Sequence, residues 1–264
     1  MSAPESAWHP RDCHAHTTCS DGALAPAELV AAVEARGALP SVADHLSRDV
    51  SSAVKSPAAV AAYLDMLEAL RVDVPALGIA GEFCWHDALW RELDEHTWAR
   101  FTHTVGSLHA VTLPDGRWLH MFASRWPAGL DVDAYMDAHV ASLERFAAEM
   151  PVELLAHPTL LPIPLRGRPL EELWTEAREA RAVTALARAG IAFEVSNRYR
   201  PHARFVARAV AAGVRLSLGS DGHSPEQVGD VAWPLATARA AGAADATLYD
   251  PLAHGRRAAA PRAP

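Results

Sequence analysis

The chain has 264 residues, and 24 Lys+Arg against 32 Asp+Glu give a formal net charge of −8 at pH 7. Half of the residues are hydrophobic and 21% are charged, which excludes a disordered tail, a coiled coil and a disulfide-stapled miniprotein. The acidic balance argues against a dedicated binder of long nucleic acid, and no run of about 18 uncharged apolar residues suggests a membrane span. Fourteen histidines stand against three cysteines, Cys13, Cys19 and Cys84, which lack any CxxC or zinc-ribbon spacing. No basic stretch followed by an apolar run opens the sequence, so a reduced cytoplasmic protein with incidental thiols is expected. The length suits one α/β domain over residues 1–264, and the Pro- and Arg-containing end, about 255–264, is expected to be a loose tail.

In chain order, short apolar runs are followed by segments of helical spacing. A strand is predicted near 9–13, then a helix opening at Pro26 and stopping at Gly37. A strand near 39–43 precedes a helix capped by Ser56 and opened by Pro57, with Val60, Tyr63, Leu64, Leu67 and Leu70 on one face. Strands near 75–80 and 102–107 follow, and then a segment, 109–130, that fits neither period; its Pro114-Asp115-Gly116 suggests a hairpin or lid loop. A helix through Val132 to Phe146 feeds a strand near 152–156, and a helix over Leu170–Ala189, ended by Gly190, feeds one near 191–195. A last helix from Pro201 to Ala212, ended by Gly213, leads into a strand near 214–219. Strand–helix alternation of this kind implies parallel strands, in an open doubly wound sheet or a barrel.

Each predicted strand delivers an imidazole or carboxylate at its C-terminal end. The set is His14, His16 and Asp21, then Asp44 and His45, Glu82, His109, His157, Glu194 with Asn197, and finally Asp221 and His223. In a parallel barrel those ends converge on one rim. His-x-His places two side chains on the same side of an extended segment, and imidazole with carboxylate suits zinc, manganese or iron. A cluster of this density without cations would be destabilising, so a metal site is expected. The other eight histidines (His9, His86, His96, His103, His120, His139, His202 and His254) are read as surface or structural.

The ordered motifs HAHTTCSDG, ADH, GE, GSLH, AHP and GSDGHS, spread over about residues 12–224, resemble those of the polymerase and histidinol phosphatase (PHP) superfamily. The resemblance implies a distorted seven-unit (β/α)7 TIM-like barrel with a trinuclear metal centre. One ion would be held by His14, His16, Glu82 and Asp221, and a second, sharing Glu82, by His109 and His157. The third would use Asp21, His45 and His223. Asp12 and Asp44 are expected to orient neighbouring imidazoles. Asp44 is grouped with Glu82, Asp221 and His223 as serving the chemistry.

Arg198 and Arg200 follow the sixth strand and are candidates for phosphate binding, since a guanidinium matches phosphate oxygens bidentately. Arg166 and Arg168 are expected in a solvated loop, and Arg125 could serve a lid. The leading expectation is hydrolysis of a small phosphate monoester, in which a hydroxide bridging two of three divalent ions (Zn, Mn or Fe) attacks phosphorus in line. The alternatives are a phosphodiesterase or nucleotidase acting on a small nucleotide, and a non-catalytic ligand-binding domain. The expected partner is a small phosphorylated substrate, with no membrane and no long nucleic acid; the sequence carries no trace of oligomeric state.

Overall fold

The computed structural model describes residues 8–256. The first half runs α1 (Pro26–Glu34), β1 (Ser41–Val42), α2 (Pro57–Asp73), β2 (Gly78–Ile79), β3 (Glu82–Cys84), α3 (Leu89–Glu92), α4 (Glu95–Arg100), β4 (Val105–Ser107), β5 (Ala110–Thr112) and β6 (Trp118–His120). The second half runs α5 (Val132–Glu149), β7 (Leu154–Leu155), α6 (Leu170–Leu173), α7 (Glu176–Ala189), β8 (Ala192–Ser196), α8 (Ala203–Ala211), β9 (Leu216–Gly219), α9 (Ala232–Ala240) and α10 (Pro251–His254).

Five strands form a wholly parallel sheet in the order β3-β4-β7-β8-β9, and β1 pairs in parallel with β2. The strand–helix alternation of the sequence is therefore real, and the parallel α/β class holds. The paired strands nevertheless make separate sheets, and a closed barrel is not among them.

The strand predicted near 9–13 does not form. Pro10 lacks an N–H to give to a ladder, and only Arg11 makes a bridge, to Leu39. The segment is extended all the same, and its hydrogen bonds diverge to two sides. Asp12 N–H donates to Leu39 O (3.0 Å) and Ala43 N–H to Ala15 O (2.9 Å), while Cys13 N–H donates to Leu218 O (2.8 Å) and His16 N–H to Gly222 O (2.9 Å).

One further expectation is corrected. The helix expected over Leu170–Ala189 is broken at Trp174, because the Thr175 side chain accepts from Arg178 N–H and starts a new helix. The segment 109–130 contains, as expected, an antiparallel hairpin, β5 against β6, with Gly116 at φ +83° in its turn. Of the expected tail, Gly255 and Arg256 are placed, with Arg256 Nη2 donating to Pro151 O (3.4 Å) and Nε to Glu153 (3.3 Å). Residues 257–264 lie outside the described residues.

Helix amphipathicity supplies most of the core, as the predicted spacing implies: Val60, Tyr63, Leu64 and Leu67 of α2 and Tyr135, Met136, Val140, Leu143 and Phe146 of α5 are buried. A second buried cluster, Cys13, Ala43, Ala80, Val105, Leu154, Ala156, Ala192 and Tyr249, draws on the 10–16 segment, the ends of β1 and β2, β4, β7 and β8, and Tyr249 before α10; four of its members are alanines. Ion pairs with one buried partner join the outer helices. Arg178 on α7 reaches Asp133 (3.0 Å) and Asp137 (2.9 Å) of α5, and Glu179 meets His202 (2.6 Å), Arg204 (2.9 Å) and Arg208 (3.1 Å) at α8. Among the described residues, no helix is long and apolar enough to cross a membrane.

His139 on α5 illustrates a structural histidine. It is buried edge-on to Trp174, with Nδ1 3.3 Å from the Tyr135 hydroxyl, and burial pushes its pKa down to about 3. An unfolded histidine titrates near 6.5, so as the pH falls from 6.5 the unfolded chain takes a proton that the folded chain refuses. The imidazole therefore costs stability on the acid side, about 1.4 kcal/mol per pH unit well below 6.5. His139→Phe should flatten the acid limb of unfolding free energy against pH by about one proton, measured by urea melts at pH 4–7. Two parallel curves would show that this imidazole does not govern acid stability.

Candidate metal centre

The C-terminal ends of the parallel strands bring the predicted ligands together around one carboxylate. Glu82 opens β3 and is wholly buried. Its Oε2 faces His45 Nδ1 (2.6 Å), His14 Nε2 (3.5 Å) and His16 Nε2 (3.7 Å), while its Oε1 faces His157 Nε2 (3.2 Å) and His109 Nε2 (3.4 Å). Glu82 lies opposite Val105 on β4, and Val105 opposite Leu154 on β7; His109 and His157 come just after the ends of those two strands.

Three sets of side chains bring their ligand atoms within 4.8 Å of one another: His14, His16 and Asp221; His45, Glu82 and His109; and His16, Asp21, His45 and His223. Each of the expected ligands is thus drawn into one crevice, with Asp21 3.3 Å from His223 Nε2 and 3.6 Å from His45 Nε2. The grouping differs in detail from the expected one. His45 reaches Glu82 as well as Asp21, and His16 stands between two sets.

The crevice is chemically suited to divalent cations. His14 Nε2 and His16 Nε2 lie 3.0 Å apart, and buried atoms including Glu82 Oε2 and His45 Nδ1 lack hydrogen-bond partners of proper geometry. A buried cluster of imidazoles and carboxylates facing each other this closely is the donor set of a hard or borderline ion. Burial pushes the pKa of His16 well down, reinforced by the His45, His14 and His223 imidazoles, and burial does the same to His109. Both therefore hold free lone pairs at neutral pH. Burial alone would raise Glu82, but the surrounding imidazoles of His45, His109 and His14 outweigh it and hold the carboxyl well below its usual range. Burial raises Asp221. The burial penalty on His14 is overcome by the carboxylates of Glu194 and Glu82, which lift it well above the usual value.

The residues behind the ligands are not the ones expected. Asp12 touches no imidazole; it accepts from the backbone N–H of His14 (3.3 Å), Ser220 (2.9 Å) and Gly229 (2.9 Å) and from the Ser220 hydroxyl (2.6 Å). It thereby fastens the first ligand segment to the last. Asp44 accepts from Thr17 N–H (2.7 Å), Thr17 Oγ1 (2.7 Å) and Ser20 Oγ (2.6 Å), and the same Ser20 hydroxyl stands 3.4 Å from His16 Nδ1. Its link to an imidazole is through a serine. The group that holds an imidazole directly is Glu194 on β8: Oε1 accepts from His14 Nδ1 (2.7 Å) and Oε2 from His157 N–H (2.6 Å). Its place at a strand end was legible, but its role was not.

Two of the candidate ligands carry unusual backbone. His157 has φ +31° and Asp221 φ +49°, a region that costs a non-glycine residue of order 1–3 kcal/mol. Asp221 is kept there by its N–H to His14 O (2.8 Å) and by the Asp12 clamp on Ser220.

The arginines separate. Arg198 lies at the mouth, with Nη1 2.6 Å from His223 Nδ1 and 3.4 Å from Asp221 O. Arg200 does not join it; its guanidinium donates to Asn197 (3.1 Å to the carbonyl) and lies over Trp233 (4.9 Å). Arg168 reaches only Glu172 (3.8 Å), and Arg125 is exposed. Arg166 lies in the expected exposed loop, donates to Leu161 O (3.0 Å) and Met121 O (3.1 Å) and lies near the rings of Phe122 (5.4 Å) and Tyr199 (5.7 Å). Those rings pack on His109 (5.7 Å) and His157 (5.3 Å), so the hairpin and the loop after β7 together wall one side of the crevice. His103, left aside on sequence, is buried with Nε2 on Cys13 O (3.0 Å), a structural role.

Comparison with solved structures shows the same fold elsewhere. A histidinol phosphate phosphatase from Lactococcus lactis subsp. lactis, complexed with zinc, L-histidinol and phosphate, superposes with a TM-score of 0.67 at 14% identity, over 88% of this chain and 94% of that one. A Listeria monocytogenes protein named as a candidate histidinol phosphatase gives a TM-score of 0.67 at 14% identity, over 83% of this chain and 97% of its own. No protein-family model and no curated protein matches the chain. The likeness is one of fold.

Gly219 offers a test of Glu194. A Cβ there would lie 2.2 Å from Glu194 Oε1, the oxygen that holds His14. Gly219→Ala is expected to displace that carboxylate and weaken divalent-cation binding about tenfold, with the apoprotein still folded. Cation affinity is read by equilibrium dialysis with elemental analysis, and folding by circular dichroism. Unchanged affinity would mean that Glu194 does not govern the ligand.

Proposed function

We propose that the chain is a metal-dependent phosphatase that hydrolyses a small phosphate monoester, in the manner of the histidinol phosphatases whose fold it shares. The observation that carries this reading is Glu82, a buried carboxylate with five imidazoles from four separate segments ranged over its two oxygens. Five imidazoles and a carboxylate turned inward have no structural purpose that apolar packing would not serve better.

Three cation positions are read from the three ligand sets: His14, His16, Asp221; Glu82 with His45, His109 and His157; and Asp21, His45, His16, His223. Zinc, manganese or iron would suit these donors and would supply Lewis acidity and an activated water near neutral pH. The chain's own residues do the rest. Glu82 and Asp221 keep negative charge beneath the centre, and His223 and Asp21, the more exposed ligands, face the open side. Arg198, beside His223 at the mouth, takes a phosphoryl oxygen and offsets its charge. Phe122, Arg166 and Tyr199, on the side of His109 and His157, would face the leaving group.

Support for a distorted seven-unit barrel comes from the 10–16 segment, which hydrogen-bonds to residue 39 on one side and residues 218–222 on the other. Three free thiols accord with a reducing cytoplasmic setting.

Removal of bound cations by exhaustive chelation is expected to abolish phosphate release from a panel of amino-alcohol, sugar and nucleoside monoesters, with Zn²⁺ or Mn²⁺ restoring it. Bis-p-nitrophenyl phosphate should be cleaved far more slowly than the monoester. Arg198→Ala should raise KM about tenfold or more, and Arg200→Ala should leave it within about twofold, since a charge-assisted bond contributes about 1.5–3 kcal/mol. Full activity in metal-stripped protein would overturn the reading.

A further inference from the structure

Behind each metal-facing ring nitrogen lies the imidazole's second nitrogen, and what it meets sets how firmly the ring is held. For His14 that partner is a carboxylate, Glu194, at 2.7 Å. For His109 it is different. Nδ1 of His109 lies 3.0 Å from Cys84 Sγ and 3.3 Å from Ser107 Oγ.

Strand geometry builds this arrangement. Cys84 lies two residues after Glu82 on β3, so the two point to the same face; Ser107 lies two residues before His109 at the end of β4; and Cys84 and Ser107 are direct register partners. All four are buried. When Nε2 of His109 faces a cation, Nδ1 carries the ring proton and donates it to the sulfur and the hydroxyl. A thiol is a weak acceptor compared with a carboxylate, so it lends the ring less basicity than Glu194 lends His14.

We infer that Cys84 is the positioning residue for His109 and that its weak acceptor makes the cation position on the Oε1 side of Glu82, shared by His109 and His157, the looser one. The position on the His14 side is the tighter. This rests on the metal-dependent reading above. It gives the buried thiol a task that its sequence position did not suggest, and it makes cation loading stepwise.

The test is a Co²⁺ titration of the full-length apoprotein, followed by d–d absorption and by elemental analysis after dialysis, with no activity measurement needed. The wild type should show at least two affinity classes. In Cys84→Ala the weaker class should lose about tenfold in affinity with an altered cobalt spectrum, and the tighter class should stay within about twofold. Cys84→Ser, which keeps a polar acceptor, should recover part of that loss and also covers the case in which the alanine variant folds poorly; melting of each apoprotein reports packing separately. A single class of equal sites in the wild type, or both classes unchanged in Cys84→Ala and Cys84→Ser, would overturn the role of Cys84 while leaving the metal reading intact. Failure to bind any divalent cation would overturn both.

Discussion

The whole centre depends on keeping one ionised carboxylate dry. Glu82 is fully buried, and such a charge is tolerated only because imidazoles surround it. Carboxylates hold His14 and His45 above their usual range, while burial, the largest cause, pushes His16 and His109 below it. The surrounding fold serves the centre by bringing several strand ends to one place and pinning them there.

The pinning is polar, and it comes from carboxylates that do not themselves face the centre. Asp12 ties the first ligand segment to the loop bearing Asp221, Asp44 ties Thr17 and Ser20, and Glu194 ties His14 to His157. Each is buried and each spends its acceptors on backbone or ligand donors. Because the backbone at His157 and Asp221 is strained, these bonds do more than fill a vacancy; they hold the two ligands in conformations the chain would otherwise leave.

Much of this was legible in the sequence because parallel α/β folds write their sites at strand ends. Alternation fixed the parallel class, and the period-two spacing of His14 and His16 placed both rings on one side. What sequence could not give was anything set by pairing geometry. Whether residues 9–13 make a strand depends on Pro10 and on hydrogen bonds that split between two neighbours, not on their apolar character. The break at Thr175 is a capping decision that periodicity overrides on paper but not in the chain. Arg198 and Arg200 are two residues apart, yet only one lies beside the ligands, because Asn197 and Trp233 capture the other. The roles of Glu194 and Cys84 likewise follow from register across strands, which no single segment reveals.

The Asp12 clamp has a consequence for biosynthesis. Its carboxylate near the start of the chain is bonded to Ser220, 208 residues later. A nascent chain on the ribosome carries His14 and His16 long before Asp221 and His223 emerge. The grouping of His14 and His16 with Asp221 is therefore closed only by the last parallel strand, whereas His45, Glu82 and His109 all precede it.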